Sequence, residues 1–206
     1  MTFESSETKS TIQSSNFKSR DDINTKILES LGLGEEWSAV FSGYQLVDKL
    51  GQGSYGCVVK AICKVTGQNV AIKLVKNFSA YEYELVKVVR EIQIMKALTK
   101  MMPSKMSFFP KLIDLIIPAN ATVHNLNSIF IVMDHIDTDL SKILKLGNQC
   151  KMDKSHVRNI CYNLLCALNY LSSANIIHRD IKPANILMNK YCQIRICDFG
   201  LARTLP

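Results

Sequence analysis

A glycine-rich segment, residues 51–56 with the sequence GQGSYG, separates two stretches in which apolar and polar residues alternate. The alternation predicts two strands joined by a hairpin, whereas in a dinucleotide-binding fold the same glycine pattern opens a helix. Glycines let backbone N–H groups approach phosphate oxygens without obstruction by Cβ atoms. A flexible structural hairpin fits the pattern equally well. The candidate phosphate-binding residues are Gly51, Gln52, Gly53, Ser54, Tyr55 and Gly56.

A lysine, Lys73, ends the sequence VAIK in a predicted third strand. An ammonium group beside apolar residues is costly unless it is paired. Glu91 lies three residues after Val88 and four before Met95, which places it at the edge of the apolar face of the next predicted helix. A Lys73–Glu91 ion pair would hold the lysine toward phosphate groups. An ordinary surface ion pair is the alternative at this point.

Charged and polar residues are concentrated in two further stretches, residues 178–185 (HRDIKPAN) and 198–200 (DFG). With the glycine-rich segment, VAIK and the helix glutamate, they follow the order typical of protein kinases. From about residue 44 to residue 206 the chain resembles the eukaryotic protein kinase family. The resemblance implies a bilobal α+β fold, with a complete β-rich small lobe and a partial helical large lobe. It also implies ATP as phosphoryl donor and Mg²⁺ as cofactor.

The resemblance assigns roles to the polar residues of these stretches. Asp180 would accept or orient the proton of the substrate hydroxyl, and Lys182 would contact the transferred phosphate. Asn185 and Asp198 would hold Mg²⁺, since amide and carboxylate oxygens suit this hard cation. A lysine at 182 followed by Pro183 resembles the serine/threonine branch of the family and not the tyrosine branch.

The same comparison implies an adenine pocket. Met133 would lie at its back, and the backbone of Asp134 and Ile136 would bind the adenine edge. Asp139 would bind the ribose hydroxyls or would cap a helix, and we favour the ribose. Beyond the glycine-rich segment, the implied ATP-binding residues are Leu50, Cys57, Val58, Ala71, Lys73, Glu91, Met133, Asp134, Ile136, Asp139 and Leu187.

Two residues beside these motifs have less direct roles. By the resemblance, His178 would pack with Phe199 and Met95 in the interior and would not act as a base. Cys197 directly precedes Asp198, so its thiol would either be reachable from the nucleotide pocket or be buried and inert. We favour an inert thiol, because nothing in the sequence indicates a lowered pKa.

Hydrophobic periodicity predicts the elements that position these residues. The predicted strands are Tyr44–Leu50, Cys57–Lys64, Asn69–Lys76, Lys111–Ile117 and Ser128–Asp134. One helix would bury the apolar positions Leu85, Val88, Val89, Ile92 and Met95, and a second is predicted over Lys154–Ala174. We therefore divide the chain into a small lobe (44–137) and part of a large lobe (138–206).

The first 43 residues are predicted to be a polar, mostly disordered leader. Nine of the first 20 residues are serine or threonine, which cannot support a packed core. A weak amphipathic pattern over 21–33 is compatible with a short helix. We expect order to begin near Tyr44.

Composition argues against several classes of protein. Apolar runs fall short of the roughly 18 residues that span a membrane, and the first residues, MTFESSETKS, resemble neither a signal peptide nor a myristoylation site. The seven scattered cysteines lack CxxC spacing, which indicates reduced thiols and no zinc site. The net charge of +7 is spread along the chain, so nucleic acid is not an expected partner. These features indicate an intracellular protein of the cytoplasm or nucleus.

Within the family, residues 90–92, 129–140 and 197–203 resemble the mitogen-activated and cyclin-dependent kinases. This resemblance implies protein substrates with serine or threonine acceptors and an upstream activating kinase. Only eight residues follow Asp198, so the family's activation segment and later helices would lie beyond this sequence. We expect the chain by itself to be poorly active. The alternative function is a truncated, non-catalytic fragment that binds nucleotide or a partner.

Overall fold

A computed structural model of the protein describes residues 20–53, 56–80, 82–102, 107–119, 121–122 and 125–205. Its helices are α1 (Arg20–Leu31), α2 (Glu82–Met101), α3 (Leu140–Leu146) and α4 (Lys154–Ser173). Its strands are β1 (Tyr44–Gly53), β2 (Gly56–Cys63), β3 (Asn69–Lys76), β4 (Leu112–Ile116), β5 (Ser128–Asp134), β6 (Thr138–Asp139), β7 (Ile176–Ile177), β8 (Ile186–Met188), β9 (Ile194–Ile196) and β10 (Arg203–Thr204).

Strands β1 to β5 form one antiparallel sheet in the order β1-β2-β3-β5-β4. Lys73 lies on β3, the central strand of this sheet, where the register places it opposite Val58 of β2. The five predicted strands are confirmed, although β4 is one residue shorter than predicted at each end and β2 begins and ends one residue earlier. The β1–β2 pairing also continues further than predicted, to a pair formed by Gly53 and Gly56. With α2 beside this sheet and helices after it, the predicted bilobal α+β fold is confirmed.

Helix α2 packs against the sheet through a set of residues that only partly matches the predicted one. Val88, Glu91 and Met95 are buried, at spacings of three and four residues. Leu85 and Val89 are 40% and 42% exposed, so their prediction as buried positions was wrong. The physical reason is that a carboxylate occupies the centre of the buried face, which turns these two apolar residues toward solvent.

Residues before Tyr44 are part of the packed structure, contrary to our expectation that order begins there. Helix α1 is followed by a 3-10 helix, Glu35–Val40. Trp37 and Val40 are 1% and 0% exposed, and the Trp37 ring meets Phe130 of β5 edge to face at 5.1 Å between ring centroids. The expectation failed because it was based on the polar composition of the segment. The burial of a single large aromatic residue, Trp37, is enough to hold the segment against the sheet.

The large lobe begins with β6 and α3 and continues through α4. Strands β6, β8 and β9 form a small sheet, and β7 pairs with β10. Helix α4 is capped by Asp153, buries Ile160, Ala167 and Leu171, and leaves Leu165 66% exposed. In the described ranges, none of the helices is long and apolar enough to span a membrane.

Candidate functional site

A cavity of about 580 Å³ lies between the two lobes. Residues of β1 to β3, α2, the end of β5 and the loops around 180–187 and 197–201 form its walls. The sequence-predicted residues that line it are Leu50, Gly51, Gly53, Gly56, Val58, Ala71, Lys73, Glu91, Met133, Asp134, Ile136, Asp139, Asp180, Lys182, Asn185, Leu187 and Asp198. Tertiary folding therefore brings most of the predicted residues to one cavity.

The glycine-rich segment forms the end of the β1–β2 hairpin above this cavity. At Gly56 the backbone has φ +145°, and a Cβ there would collide with the carbonyl oxygen of Leu74, so only glycine fits. A Cβ at Gly51 or Gly53 would meet no atom within 4 Å. The backbone of these two glycines is accordingly accessible to a ligand. Ser54 and Tyr55, also predicted to bind ATP, lie outside the described residues.

Two predicted residues of this hairpin do not line the cavity. Cys57 is buried on the other face of the sheet, in the core that also contains Trp37. Side chains alternate between the faces of a strand, so Val58 points into the cavity and Cys57 points away from it. Gln52 accepts a hydrogen bond from Lys49 at 2.7 Å on the surface. Neither side chain therefore lines the cavity in this structure.

Lys73 pairs with Glu91 inside the cavity wall. The ammonium nitrogen lies 2.7 and 2.9 Å from the two carboxylate oxygens, and 3.6 Å from Oδ1 of Asp198. The Lys73 and Glu91 side chains are 18% and 7% exposed, so the predicted pair is confirmed and is not a surface pair. Burial alone would lower the pKa of Lys73, but the two carboxylates outweigh it and raise the pKa above its usual range. The lysine stays charged.

Asp180, Lys182 and Asn185 form a hydrogen-bonded cluster at the floor of the cavity. The Asn185 amide nitrogen donates to the carbonyl oxygen and to Oδ2 of Asp180, both at 2.9 Å. Lys182 Nζ donates to the same Oδ2 at 2.7 Å. The Asp180 carboxylate is thus oriented through one oxygen, and no hydrogen bond to Oδ1 occurs within the described ranges. The turn Pro183–Asn185 and its continuation into β8 fix the amide of Asn185.

Asp198 and Asn185 meet the chemical requirement for magnesium. Both Asn185 side-chain hydrogen bonds use its nitrogen, which leaves Oδ1 free to face a cation. The Asp198 side chain is 45% exposed. Mg²⁺ keeps several waters and takes one or two carboxylates together with substrate phosphates. In the part of the chain that the structure describes, no group of three or more His, Cys, Asp or Glu could hold a metal. Asn185 and Asp198 offer the oxygen ligands that Mg²⁺ prefers.

The buried His178 side chain contacts the backbone of both the loop that carries Asp180 and the segment that carries Asp198. It is 3% exposed, and desolvation lowers the pKa of its imidazole. The neutral ring fits its contacts, because Nε2 lies 3.0 Å from the Cys197 carbonyl oxygen and Nδ1 accepts from the Asp180 N–H at 3.3 Å. Its ring lies 5.0 Å from that of Phe199, between ring centroids. The predicted packing of His178 against Phe199 is confirmed, and Met95 belongs to the same core.

A family model described as a protein kinase domain matches residues 44–206. The chain belongs to the protein kinase family.

Several mitogen-activated protein kinases are similar to this kinase. It is 36% identical to mitogen-activated protein kinase KSS1 of Saccharomyces cerevisiae, over 80% of this chain and 43% of that protein. It is 34% identical to mitogen-activated protein kinase 7 of Arabidopsis thaliana, over 82% of this chain and 44% of that protein. Mitogen-activated protein kinase 13 of Oryza sativa is also 34% identical, over 79% of this chain and 30% of that protein. The chain thus spans less than half the length of these relatives, and the predicted resemblance to this kinase group is confirmed.

The end of the cavity that is predicted to bind adenine includes residues from both lobes. Ala71 of β3 lies opposite Met133 of β5, and Leu187 of β8 lines the opposite wall. Asp139 caps α3 by accepting from the Lys142 N–H at 2.9 Å, and its other oxygen lies 3.4 Å from Lys142 Nζ. The cap is therefore present. The ribose contact stays a prediction.

Sequence reasoning missed several residues of the kinase site. Lys142 lines the cavity and donates to the Leu50 carbonyl oxygen at 3.2 Å, which links the large lobe to the base of the glycine-rich hairpin. Lys87 also lines the cavity, one helical turn before Glu91. Its spacing of four residues from Glu91 could have predicted this position, because residues four apart lie on the same face of a helix. The contact of Lys142 with Leu50 had no signal in the sequence, because it joins residues 92 positions apart.

Three arginines that sequence reasoning also missed lie close together. Arg90, Arg179 and Arg203 donate to the carbonyl oxygens of Gly200, Leu201 and Ala202, respectively. Burial, followed by repulsion from Arg203 and Arg179, lowers the pKa of Arg90. The cluster forms a positive patch beside the 198–203 segment.

The kinase thiol at Cys197 is predicted to be unreactive in the folded protein. Cys197 is partly exposed and belongs to the cavity lining, but burial of its thiol, reinforced by Asp198, raises its pKa to about 12. At pH 8 only about one thiol in ten thousand would be thiolate, the reactive form. Iodoacetamide at pH 8 should modify the exposed Cys161 and leave Cys197 free, as peptide mass spectrometry would show. Labelling after denaturation controls for peptide recovery, and a Cys197 adduct on the folded protein would contradict the prediction.

Proposed function

We propose that this kinase transfers the γ-phosphoryl group of MgATP to serine or threonine hydroxyls of proteins in a signalling cascade with an upstream activating kinase. The observation that supports this most is the buried Lys73–Glu91 pair, with Asp198 at 3.6 Å from the same ammonium. Few other functions account for a lysine kept charged by two carboxylates at the wall of a nucleotide-sized cavity.

In the proposed complex, ATP lies with its adenine between the apolar walls of the cavity and its phosphates under the glycine-rich hairpin. Lys73 faces the α- and β-phosphates, because Glu91 holds its ammonium at the cavity wall. The backbone of Gly51 and Gly53 has room for phosphate oxygens. The backbone groups of Asp134 and Ile136, both in the cavity lining, face the adenine edge.

The transfer step uses the floor of the cavity. Asp198 and Asn185 would hold Mg²⁺, and the bound cation would neutralise charge on the phosphate oxygens. Asp180 orients the acceptor hydroxyl and receives its proton at Oδ1, since Oδ2 is engaged by Asn185 and Lys182. Lys182 also places a positive charge beside the transferred group. The Lys182–Pro183 sequence supports serine and threonine as the acceptors.

The direct test is a titration of the purified chain with a fluorescent ATP analogue, with and without Mg²⁺. Mg²⁺ should tighten binding by about tenfold or more, because Asp198 and Asn185 would hold the cation and its charge would offset that of the phosphates. Asp198→Ala should abolish this gain. The side chain of Asp198 is 45% exposed, but its backbone has φ +67°, which alanine adopts less readily, so circular dichroism checks that the variant is folded. Asp48→Ala, which removes an exposed carboxylate from β1, is the matched control and should bind like the wild type.

Two outcomes would count against this function. Absence of saturable binding by the wild-type chain would remove the nucleotide-binding part of the proposal. An equal gain from Mg²⁺ in the wild type and Asp198→Ala would remove the metal assignment.

A non-catalytic nucleotide-binding chain is the second candidate function. The exposed apolar side chains of α4 favour it, since Val157, Tyr162 and Leu165 are 48%, 68% and 66% exposed and form a surface suited to a partner. Transfer of labelled phosphate to a generic protein substrate separates the two candidates. Transfer that Asp180→Asn abolishes supports the first, and binding without transfer supports the second.

A further inference from the structure

An ion pair joins the two lobes directly behind the cavity. Arg195, in the middle of β9, contacts Oδ2 of Asp134 through its Nη1. Asp134 is the last residue of β5 in the small-lobe sheet, and residues 135–137 then lead into the large lobe. The pair therefore spans the connection between the lobes, and both side chains are about three-quarters buried.

Asp134 is tied to a third segment as well. Its Oδ1 accepts from the Lys111 N–H at 2.6 Å, and its own N–H donates to the Lys111 carbonyl oxygen at 3.2 Å. Three residues before Lys111, the Phe108 carbonyl oxygen accepts from the Ile196 N–H of β9 at 2.8 Å. Residues 107–111 are thus held between β9 and the end of β5. The Asp134 carboxylate is the point at which these contacts meet.

The register of β8 and β9 connects this network to the cavity. Arg195 lies directly opposite Leu187, so the two side chains leave the same face of the small sheet. Leu187 forms part of the cavity wall, and Asp134 and Ile136 line the same cavity. The arginine therefore reaches the end of β5 beside the wall on which adenine would lie.

We propose that Arg195 is a positioning residue, which acts through Asp134 to fix the backbone of residues 134–136 relative to the large lobe and so to shape the adenine end of the cavity. The proposal rests on the function proposed above in its choice of adenine as the ligand. Rotation of the lobes about 135–137 would separate the two charges, because each belongs to a different lobe. Loss of the pair should loosen the connection even without nucleotide.

The arginine is difficult to replace by another residue. Its guanidinium is partly desolvated, and this burial lowers its pKa. A partly buried charge of this kind is stabilised chiefly by its partner. Removing the guanidinium also leaves the hydrogen bond from the Lys111 N–H as the one remaining polar contact of the Asp134 carboxylate among the described residues.

The test compares the full chain with Arg195→Met, and uses Arg158→Met as the matched control. Arg158 is exposed on α4, so its replacement removes the same group from the same lobe far from this network. Arg195→Met should speed hydrogen–deuterium exchange in peptides over 107–116 and 130–137 by about fivefold, and weaken binding of the ATP analogue by a similar factor. Arg158→Met should change neither, and Arg195→Lys should recover part of both effects.

A second variant separates positioning from general destabilisation. In an Asp134→Asn background, Arg195→Met should have little further effect, because the partner charge is already absent. Unchanged exchange and binding in Arg195→Met, or an undiminished effect in the Asp134→Asn background, would overturn the inference. If the wild-type chain fails to bind nucleotide, the proposed function fails, and the exchange rates measured without nucleotide still decide the role of Arg195.

Discussion

Replacement of Trp37 by alanine is expected to lower the free energy of unfolding by about 3–5 kcal/mol, the usual cost of removing a fully buried aromatic side chain. The Trp37 side chain is 1% exposed and packs against Phe130 in the core on the outer face of the sheet. Its loss would leave a cavity lined by strand residues that cannot collapse around it. Chemical denaturation followed by circular dichroism measures the change.

Tyr162→Ala is the control for this experiment. Tyr162 is 68% exposed on α4, so its removal should change the stability by no more than about 0.5 kcal/mol. An equally small effect of Trp37→Ala would show that residues 20–43 do not belong to the folded unit. The expected large effect would mean that the folded domain begins before residue 44, which is the first residue of the family match.

Replacement of Lys73 by methionine is expected to lower the free energy of unfolding by about 3 kcal/mol, because it leaves the buried Glu91 carboxylate without its main partner. The double variant Lys73→Met/Glu91→Leu should recover most of this loss, since apolar residues of similar volume often replace a buried ion pair without cost. Binding of the ATP analogue should stay weak in both variants, because both lack the ammonium. The double variant would then regain stability without regaining nucleotide binding, which would separate the two roles of this pair.

Lys96→Met is the matched control, since Lys96 is exposed on α2 and its replacement should affect neither quantity. The stability difference between the wild type and Lys73→Met should persist over neutral pH. The raised pKa of Lys73 means that its contribution is complete below the ordinary lysine pKa, and is lost only as pH rises past the raised value. Recovery of nucleotide binding in the double variant would contradict the role proposed for Lys73.

Much of the candidate site could be predicted from the sequence because its chemistry lies in short contiguous motifs. The stretches 178–185 and 198–200 and the sequence VAIK keep their residue types at fixed spacing along the chain. The five strands were predictable for the same reason, since the alternation that identifies them is local. The Lys73–Glu91 pair was predictable because a lysine in an apolar strand requires a partner and the next helix offered one.

Tertiary structure alone decided the features that depend on long-range packing. The burial of Glu91, and with it the exposure of Leu85 and Val89, follows from the position of Lys73 beneath the helix and not from the periodicity of α2. Cys57 was misplaced because the face of the strand that meets the cavity depends on what packs against the other side. That side is covered by Trp37, which comes from a segment whose composition indicates disorder.

The Arg195–Asp134 pair is another feature that the sequence alone does not predict. The two residues are 61 positions apart, and no pattern in the sequence indicates that their charges are paired. Only the pairing of β8 with β9, and the position of β9 behind the end of β5, brings them together. Local patterns thus determined which chemical groups this protein carries. The packing of the two lobes decided which of those groups are buried, paired and directed toward the cavity, because burial and charge pairing depend on neighbours that are distant in the chain.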